Sequence, residues 1–361
     1  IAREAPEDPW CGLADPSELT APADIAALDL LDPTPAPSPE ALEETARAAE
    51  AAALAVEGVA QVEQASESWG GETIALAATN GFSVRYARSS GGTAVSAIAG
   101  DGLGRERDFA AEFRRHRADI PAPEEIGRRA GERAVAALNP KRPPGGRFPV
   151  IYDERVAGSL VGHVLAAVNG SAVARGASWL SEAMGSAILP GGIDLWEDPL
   201  IPRGRASRPV DAEGIGARRL DIVSDGVLRS WVLDLATARQ LGLATTGNAR
   251  RGPGGPPRPG TGNVRITQGP RSRADLLAEM GTGLLVTSMI GASINPTTGA
   301  YSRGASGFWV EGGEIVHPVN EITIAGSLPA MIRSIRPAND ADPHRAVSAP
   351  SLLVEGLTVG A

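Results

Sequence analysis

A segment rich in proline and glycine, Pro140 to Arg147, divides the 361-residue chain into two parts of different character. Such residues end regular elements, so a run of them is typical of a linker between domains. The part before it combines long helical patterns with strands, and the part after it consists mostly of short strands joined by turns. The sequence therefore predicts an α+β fold, with an N-terminal α/β domain over residues 1–145 and a β-rich domain of barrel-like or sandwich-like sheets over residues 146–361.

The N-terminal part carries signals for both helices and a hairpin. Ser38-Pro39 places an N-capping serine before a proline at the first helical position, and the Ala- and Glu-rich run 40–56 favours a helix. Asn80-Gly81 is the strongest short hairpin signal and joins two predicted strands, 73–79 and 82–87. The same patterns predict a third strand and a second long helix, at 93–99 and 123–138.

The C-terminal part begins with a short strand and a helix and continues mostly as strands. Asp153 is an N-cap for a helix whose apolar residues, from Val156 to Val168, form a stripe at helical spacing. Asp225-Gly226 and Gly312-Gly313 are turn signals between short strands. Further strands are predicted at 148–152, 263–268, 283–289 and 351–359, and short helices at 273–280 and 328–335.

The composition argues against several classes of function. The net charge is −9, whereas nucleic-acid-binding proteins usually carry a basic face, so we expect no nucleic-acid partner. No run of about 18 apolar residues is present, so no membrane span is predicted. Cys11 is the only cysteine, which rules out an internal disulfide and is typical of the reducing cytoplasm.

No common catalytic motif is present. The chain has four histidines, which are His116, His163, His317 and His344. They form no HExxH or HxH pattern, and no CxxC motif is available for zinc. His317 and Glu321 are four residues apart, but in a strand-like region that spacing separates the side chains. The sequence also lacks a GxSxG nucleophile elbow, an SxxK pair and a Walker loop, so the residues alone predict no self-evident catalytic set.

Several segments are similar to the signature of one known family. They are 155–163, 203–209 with Glu213-Gly214, 238–242, 245–249 and the long stretch 299–326. On these motifs the chain resembles the TldD/PmbA peptidase family, in its PmbA (TldE) branch, from about Glu4 to the C-terminus. Family members usually carry a further α/β segment before this point, so we expect the N-terminal domain to be truncated.

The resemblance implies a two-chain zinc protease that degrades or matures flexible peptides. TldD-type chains carry an HExxxH zinc motif, and PmbA-type chains lack it and pair with them. We therefore expect a TldD-type partner or a second copy of this chain, a flexible peptide substrate, and no zinc bound by this chain itself. The older family name, modulator of DNA gyrase, does not require DNA binding.

The zinc helix of the family corresponds to the helix that Asp153 begins. On that match, Gly162 and Ala167 occupy the positions of the two zinc histidines, and His163 occupies the position of the glutamate. Glycine and alanine offer no ligand atoms, and an imidazole cannot replace the carboxylate that polarises zinc-bound water. We therefore expect neither a catalytic residue nor a metal site in this chain.

The resemblance also suggests residues for peptide binding. Asn295, Arg303, Ser306 and Glu321 lie in or beside the C-terminal signature, and we expect them to line a peptide cleft. An extended peptide could add to an exposed sheet edge there through main-chain hydrogen bonds. For Arg303, a structural ion pair with Glu311 or Glu321 is an equal alternative.

Two other hypotheses remain open. The chain could be a non-enzymatic, peptide-binding homodimeric scaffold, since homo-oligomers are common. It could also be a metallohydrolase with an unrecognised site, in which His163, His317 and the pair Asp340 and Asp342 would have to converge.

Overall fold

The computed structural model describes residues 7–252 and 254–360 and confirms the predicted α+β fold. The α-helices in these ranges are α1 (Ile25–Leu28), α2 (Pro39–Leu54), α3 (Pro123–Ala136), α4 (Glu154–Ala167), α5 (Gly170–Ala174), α6 (Leu235–Leu241), α7 (Arg273–Met280) and α8 (Leu328–Arg333). None of them is long and apolar enough to cross a membrane.

The strands form one sheet in the N-terminal half and several in the C-terminal half. They are β1 (Val59–Ala77), β2 (Ser83–Ala99), β3 (Glu106–Arg114), β4 (Gly146–Tyr152), β5 (Leu195–Glu197), β6 (Leu220–Ser224), β7 (Val227–Leu228), β8 (Ala249–Arg250), β9 (Arg258–Pro259), β10 (Val264–Ile266), β11 (Gly283–Ile294), β12 (Ala300–Glu311), β13 (Glu314–Ser327), β14 (Arg336–Pro337), β15 (Val347–Ser348) and β16 (Leu352–Gly360).

The N-terminal sheet is antiparallel, in the order β1-β2-β3. Its long hairpin turns at the predicted Asn80-Gly81, where Gly81 has a φ of 94°. The predicted strands 82–87 and 93–99 belong to the single strand β2. The glycines between them do not break the ladder but allow close approach, since a Cβ added at Gly91 would lie 2.1 Å from the Ser68 carbonyl oxygen.

Two helices, α2 and α3, pack against this sheet and against each other. Ser38 caps α2 as predicted, because its hydroxyl accepts a hydrogen bond from the Ala41 amide. Ile126 and Ala130 of α3 are buried in the core that the helices share with the sheet. The helices meet closely at Gly127, where an added Cβ would lie 1.9 Å from the carbonyl oxygen of Ala49.

Five strands of the C-terminal half close into a barrel, in the order β4, β11, β12, β13 and β16. β13 pairs with β16 through Thr323 to Ala325, and this pairing completes the ring. Of the two predicted arrangements, barrel-like and sandwich-like sheets, these strands adopt the barrel. β4 and β11 run parallel, and residues 153–282 form the long crossover that a parallel pair requires.

Helix α4 belongs to the crossover and lies in the main hydrophobic core. Its predicted apolar stripe faces this core: Leu160, Val161, Val164 and Val168 are buried, and Val156 and Leu165 are partly buried. The same continuous core contains Tyr301 of the barrel and Ile222 of a second sheet, which has the order β15-β10-β5-β6-β7. The barrel and this sheet together fix the position of α4.

The two halves also contact each other through polar side chains. Arg155 of α4 donates to both carboxylate oxygens of Asp108 in β3, at 2.9 and 3.1 Å. Asn320 of β13 donates to Glu106 of β3 at 2.7 Å. The predicted linker lies between α3 and β4, and the division of the chain at residue 145 stays a prediction.

Candidate functional site

The three positions matched to the zinc motif lie in the second half of α4. Gly162 and His163 are partly exposed, whereas Ala167 is buried in the core. A Cβ added at Gly162 would meet no other atom within 4 Å, so the helix has open space in front of this position.

His163 lies against an aromatic and cationic neighbourhood. Its ring meets that of Tyr301 edge-on, with the centroids 5.7 Å apart, and the Tyr301 hydroxyl lies 3.2 Å from that of Tyr152. Burial lowers the pKa of His163, and the positive charge of Arg303 lowers it further. The Nε2 atom of His163 is buried and has no hydrogen-bond partner among the described residues. Burial and the neighbouring cation therefore both favour the neutral form of the His163 imidazole.

These residues do not fit a zinc ion. Zinc in a catalytic site takes three protein ligands from histidine, cysteine or carboxylate side chains. The donor set here is one imidazole beside the cation Arg303 and two phenols. Within residues 7–252 and 254–360, no group of three or more His, Cys, Asp or Glu side chains could hold a metal ion. His163, His317, Asp340 and Asp342 thus do not converge, contrary to what the metallohydrolase hypothesis requires.

Arg303 of β12 contacts the neighbouring strand rather than a carboxylate. Its Nε donates to the carbonyl oxygen of Gly291 at 2.7 Å. Gly291 has a φ of 61° and lies in an irregular part of β11, where the pairing with β12 shifts register. The predicted alternative partner Glu311 instead accepts a hydrogen bond from Trp309. Arg303 therefore stabilises the bulge in β11, and in the described structure it forms no ion pair.

Ser306 and Glu321 share a cleft between β3 and the barrel strands β11, β12 and β13. The cleft has a volume of about 580 Å³. Glu321 has a φ of 51° and lies in a β-bulge of β13 that faces Ser306. Such bulges re-aim side chains and are frequent beside functional sites. Ser306 and Arg303 lie three residues apart on β12, so their side chains point to opposite faces.

The N-terminal half contributes the other wall of this cleft. Glu106, Arg107 and Asp108 of β3 line it together with Asn320 and Glu321 of β13. Burial raises the pKa of Glu106, and the negative charge of Glu321 raises it further. The hydrogen bond from Asn320 lowers it in part. These β3 residues do not stand out in the sequence, because the charged run from Arg105 to Asp108 has no apolar alternation and does not show what faces it.

Asn295 lies apart from the cleft, at the turn between β11 and β12. Its side-chain oxygen accepts hydrogen bonds from the amides of Thr297 and Thr298, at 2.9 and 3.0 Å. The structure therefore brings together two of the four predicted cleft residues, Ser306 and Glu321. Whether any of the four contacts a peptide stays a prediction.

Part of strand β11 has a free edge. Leu284 to Val286 pair with β4, whereas the rest of the strand, up to Ile294, pairs among the described residues with β12 alone. Ile290 in this part is 71% exposed. A free edge presents unpaired N–H and C=O groups to which an extended chain can add.

Comparison with known proteins places this chain in a family of metallopeptidases. The model of the PmbA/TldA metallopeptidase central domain matches residues 32–138, and that of the PmbA/TldA metallopeptidase C-terminal domain matches residues 145–361. The chain belongs to the PmbA/TldD metallopeptidase family.

Individual relatives cover most of the chain. The metalloprotease PmbA of Escherichia coli O157:H7 is 36% identical over 360 residues, which is 99% of this chain and 78% of that protein. A solved structure from Bacteroides thetaiotaomicron, named as a modulator of DNA gyrase, is 25% identical with a TM-score of 0.88, covering 99% of this chain and 80% of that one. The structure of TldE from Thermococcus kodakarensis shares the fold, with 22% identity, a TM-score of 0.84 and coverage of 100% and 82%.

Proposed function

We propose that this chain is the non-catalytic subunit of a two-chain zinc metalloprotease, in which a relative with an HExxxH motif holds the zinc. The observation that carries the proposal is the donor set on α4. At the three motif positions it offers one imidazole, next to the guanidinium of Arg303, and no carboxylate. The membership in a metallopeptidase family supplies the class of reaction.

In this proposal the chain contributes peptide binding. The free edge of β11 takes up an extended, flexible peptide through main-chain hydrogen bonds, and the cleft lined by Ser306 and Glu321 accommodates its side chains. The single cysteine and the net charge of −9 agree with a cytoplasmic complex that does not bind nucleic acid.

Reconstitution tests the division of labour. The chain is purified, mixed with an HExxxH-bearing relative from the same cell and zinc, and assayed on casein. We expect cleavage by the pair, little by either chain alone, and zinc that remains with the relative after separation. Full activity of the relative alone would contradict the subunit role. A chain that pairs only with its own copies, and binds peptide without any cleavage, would favour the homodimeric scaffold instead.

A variant pair tests the cleft. Ser306→Trp fills the cleft and should lower the rate of the reconstituted pair by about tenfold, since a blocked site loses about 1.4 kcal/mol or more of binding free energy. Ser90→Trp is the matched control, because Ser90 is an exposed residue of β2 outside the cleft. Equal rates for the two variants would remove the cleft from the proposal.

A further inference from the structure

A second cavity lies at the tip of the β1–β2 hairpin and shares no lining residue with the cleft. Its volume is about 500 Å³, which is within the range of small-molecule sites. Leu13, Leu76, Phe82 and Ala236 contribute apolar surface to its wall. The proposed subunit function makes no use of it.

The N-terminal segment closes one side of this cavity and is held in place by α6. Arg239 of α6 donates hydrogen bonds to the carbonyl oxygens of Trp10, Gly12 and Leu13, at 3.4, 3.3 and 2.8 Å. Cys11 borders the cavity and is exposed. Arg239 therefore links this wall to α6.

Two carboxyl groups line the cavity, those of Asp8 and Glu213, and Glu213 is the more buried of the two. One of its oxygens, Oε2, accepts a hydrogen bond from the Leu235 amide at 2.8 Å, and no other described residue donates to this side chain. Asp211 and Asp234 are buried near it, and each accepts hydrogen bonds from backbone amides. The second oxygen of Glu213 is thus available to a ligand.

The charges around Glu213 favour a cation. The pKa of Glu213 is raised to about 7, and burial is the largest cause. The hydrogen bond from the Leu235 amide lowers the pKa, the negative charges of Asp211 and Asp234 raise it, and the positive charge of Arg239 lowers it. Asp8 and Arg251, of opposite sign, lie on other parts of the wall. A positively charged group next to Glu213 would restore its ionised form, whereas an anion would be repelled by Glu213 and by the two carboxylates buried behind it.

We propose that this cavity binds a small apolar molecule with a primary ammonium group, whose counter-ion is the Glu213 carboxylate. The apolar body of the ligand replaces water against Leu76 and Phe82, and burial of that surface supplies the affinity. The ammonium group donates to the free oxygen of Glu213. The inference does not rest on the proposed protease subunit, because the two sites have different residues.

Calorimetry with 2-phenylethylamine tests the proposal, and 2-phenylethanol is the neutral control of the same shape. The amine should bind about tenfold more tightly or better, because its ammonium group makes a charge-assisted hydrogen bond that the neutral hydroxyl cannot replace. At pH 7 the amine should also release about half a proton from Glu213, measured in buffers of different ionisation heat. Equal affinity for the alcohol, absence of proton release, or no binding of the amine would overturn the proposal.

Two further measurements locate the site. Glu213→Gln should weaken amine binding about tenfold and abolish proton release, whereas Glu57→Gln, at an exposed position after α2, should change neither. On the unaltered protein, saturating amine should slow the alkylation of Cys11, the only cysteine. Alkylation at an unchanged rate would place the amine elsewhere and refute the assignment, even if the Glu213 variant failed to fold.

Discussion

Gly162 is a glycine in the middle of a helix, where it costs about 0.5–1 kcal/mol relative to alanine. An added Cβ would meet no other atom within 4 Å, and the backbone φ of this residue is not positive. Gly162→Ala should therefore raise the free energy of unfolding by about 0.5–1 kcal/mol, measured by urea denaturation. Gly158→Ala is the control, because its Cβ would lie 3.4 Å from the Val347 carbonyl oxygen and should yield a smaller gain. A destabilised Gly162 variant would show that this face of α4 is not open.

The sequence predicts what is missing at Gly162, His163 and Ala167, but not what surrounds them. That two of these residues lack ligand atoms is a property of the residues themselves. The surroundings of His163 come from Tyr301 and Arg303, which are about 140 positions away along the chain and are brought there by the closure of the barrel. For the same reason, neither predicted ion pair of Arg303 forms. Its actual partner, the carbonyl group of Gly291, depends on a bulge in β11 that no short pattern indicates.

Helix α3 can pack against α2 only because residue 127 has no side chain. An alanine Cβ there would lie 1.9 Å from the Ala49 carbonyl oxygen, a backbone atom that cannot rotate away. Gly127→Ala should destabilise the protein by about 1–3 kcal/mol through overpacking, although alanine is the better helix former. The same substitution at Gly162 should act in the opposite direction, and chemical denaturation of both variants checks the contrast. Equal effects would mean that α2 and α3 can separate without cost.

Elements with a strong local signal are predicted well, and elements defined by pairing are not. The helix predicted at 273–280 coincides with α7, and that predicted at 123–138 with α3 to within two residues at its end. The turn at Gly312-Gly313 is also confirmed, but β12 and β13, at 12 and 14 residues, are much longer than the short strands predicted on either side of it. Gly307 interrupts the apolar pattern of β12, yet the structure needs a glycine there, because a Cβ would lie 1.9 Å from the Leu285 carbonyl oxygen.

For the whole molecule, the sequence predicts two parts and some residues of a cleft, but not that the cleft lies between the two parts. A linker signal at 140–147 is local, whereas the cleft exists because β3 faces β13 across it. Glu106 and Asn320 are joined by a hydrogen bond of 2.7 Å although more than two hundred residues separate them. Closure of the barrel could not be predicted for the same reason. β4 and β11 pair across a crossover of about 130 residues, and contacts of that range leave no periodicity in the sequence.

The ion pair between Asp108 and Arg155 should hold the two halves together at the cleft. Both side chains are mostly buried, at 15% and 13% exposure, and breaking such a pair leaves an uncompensated charge. Asp108→Asn should cost about 1–3 kcal/mol, less than for a fully buried pair because Arg155 keeps a second contact with Asp153. Hydrogen exchange should accelerate in β3 and at the start of α4, whereas the barrel core should exchange as before. Glu43→Gln, which breaks an exposed pair with Arg47 in α2, should cost no more than about 0.5 kcal/mol and leave exchange in β3 unchanged. If the two variants exchange alike, the halves are held by their apolar contacts and the linker, and the width of the cleft does not depend on this ion pair.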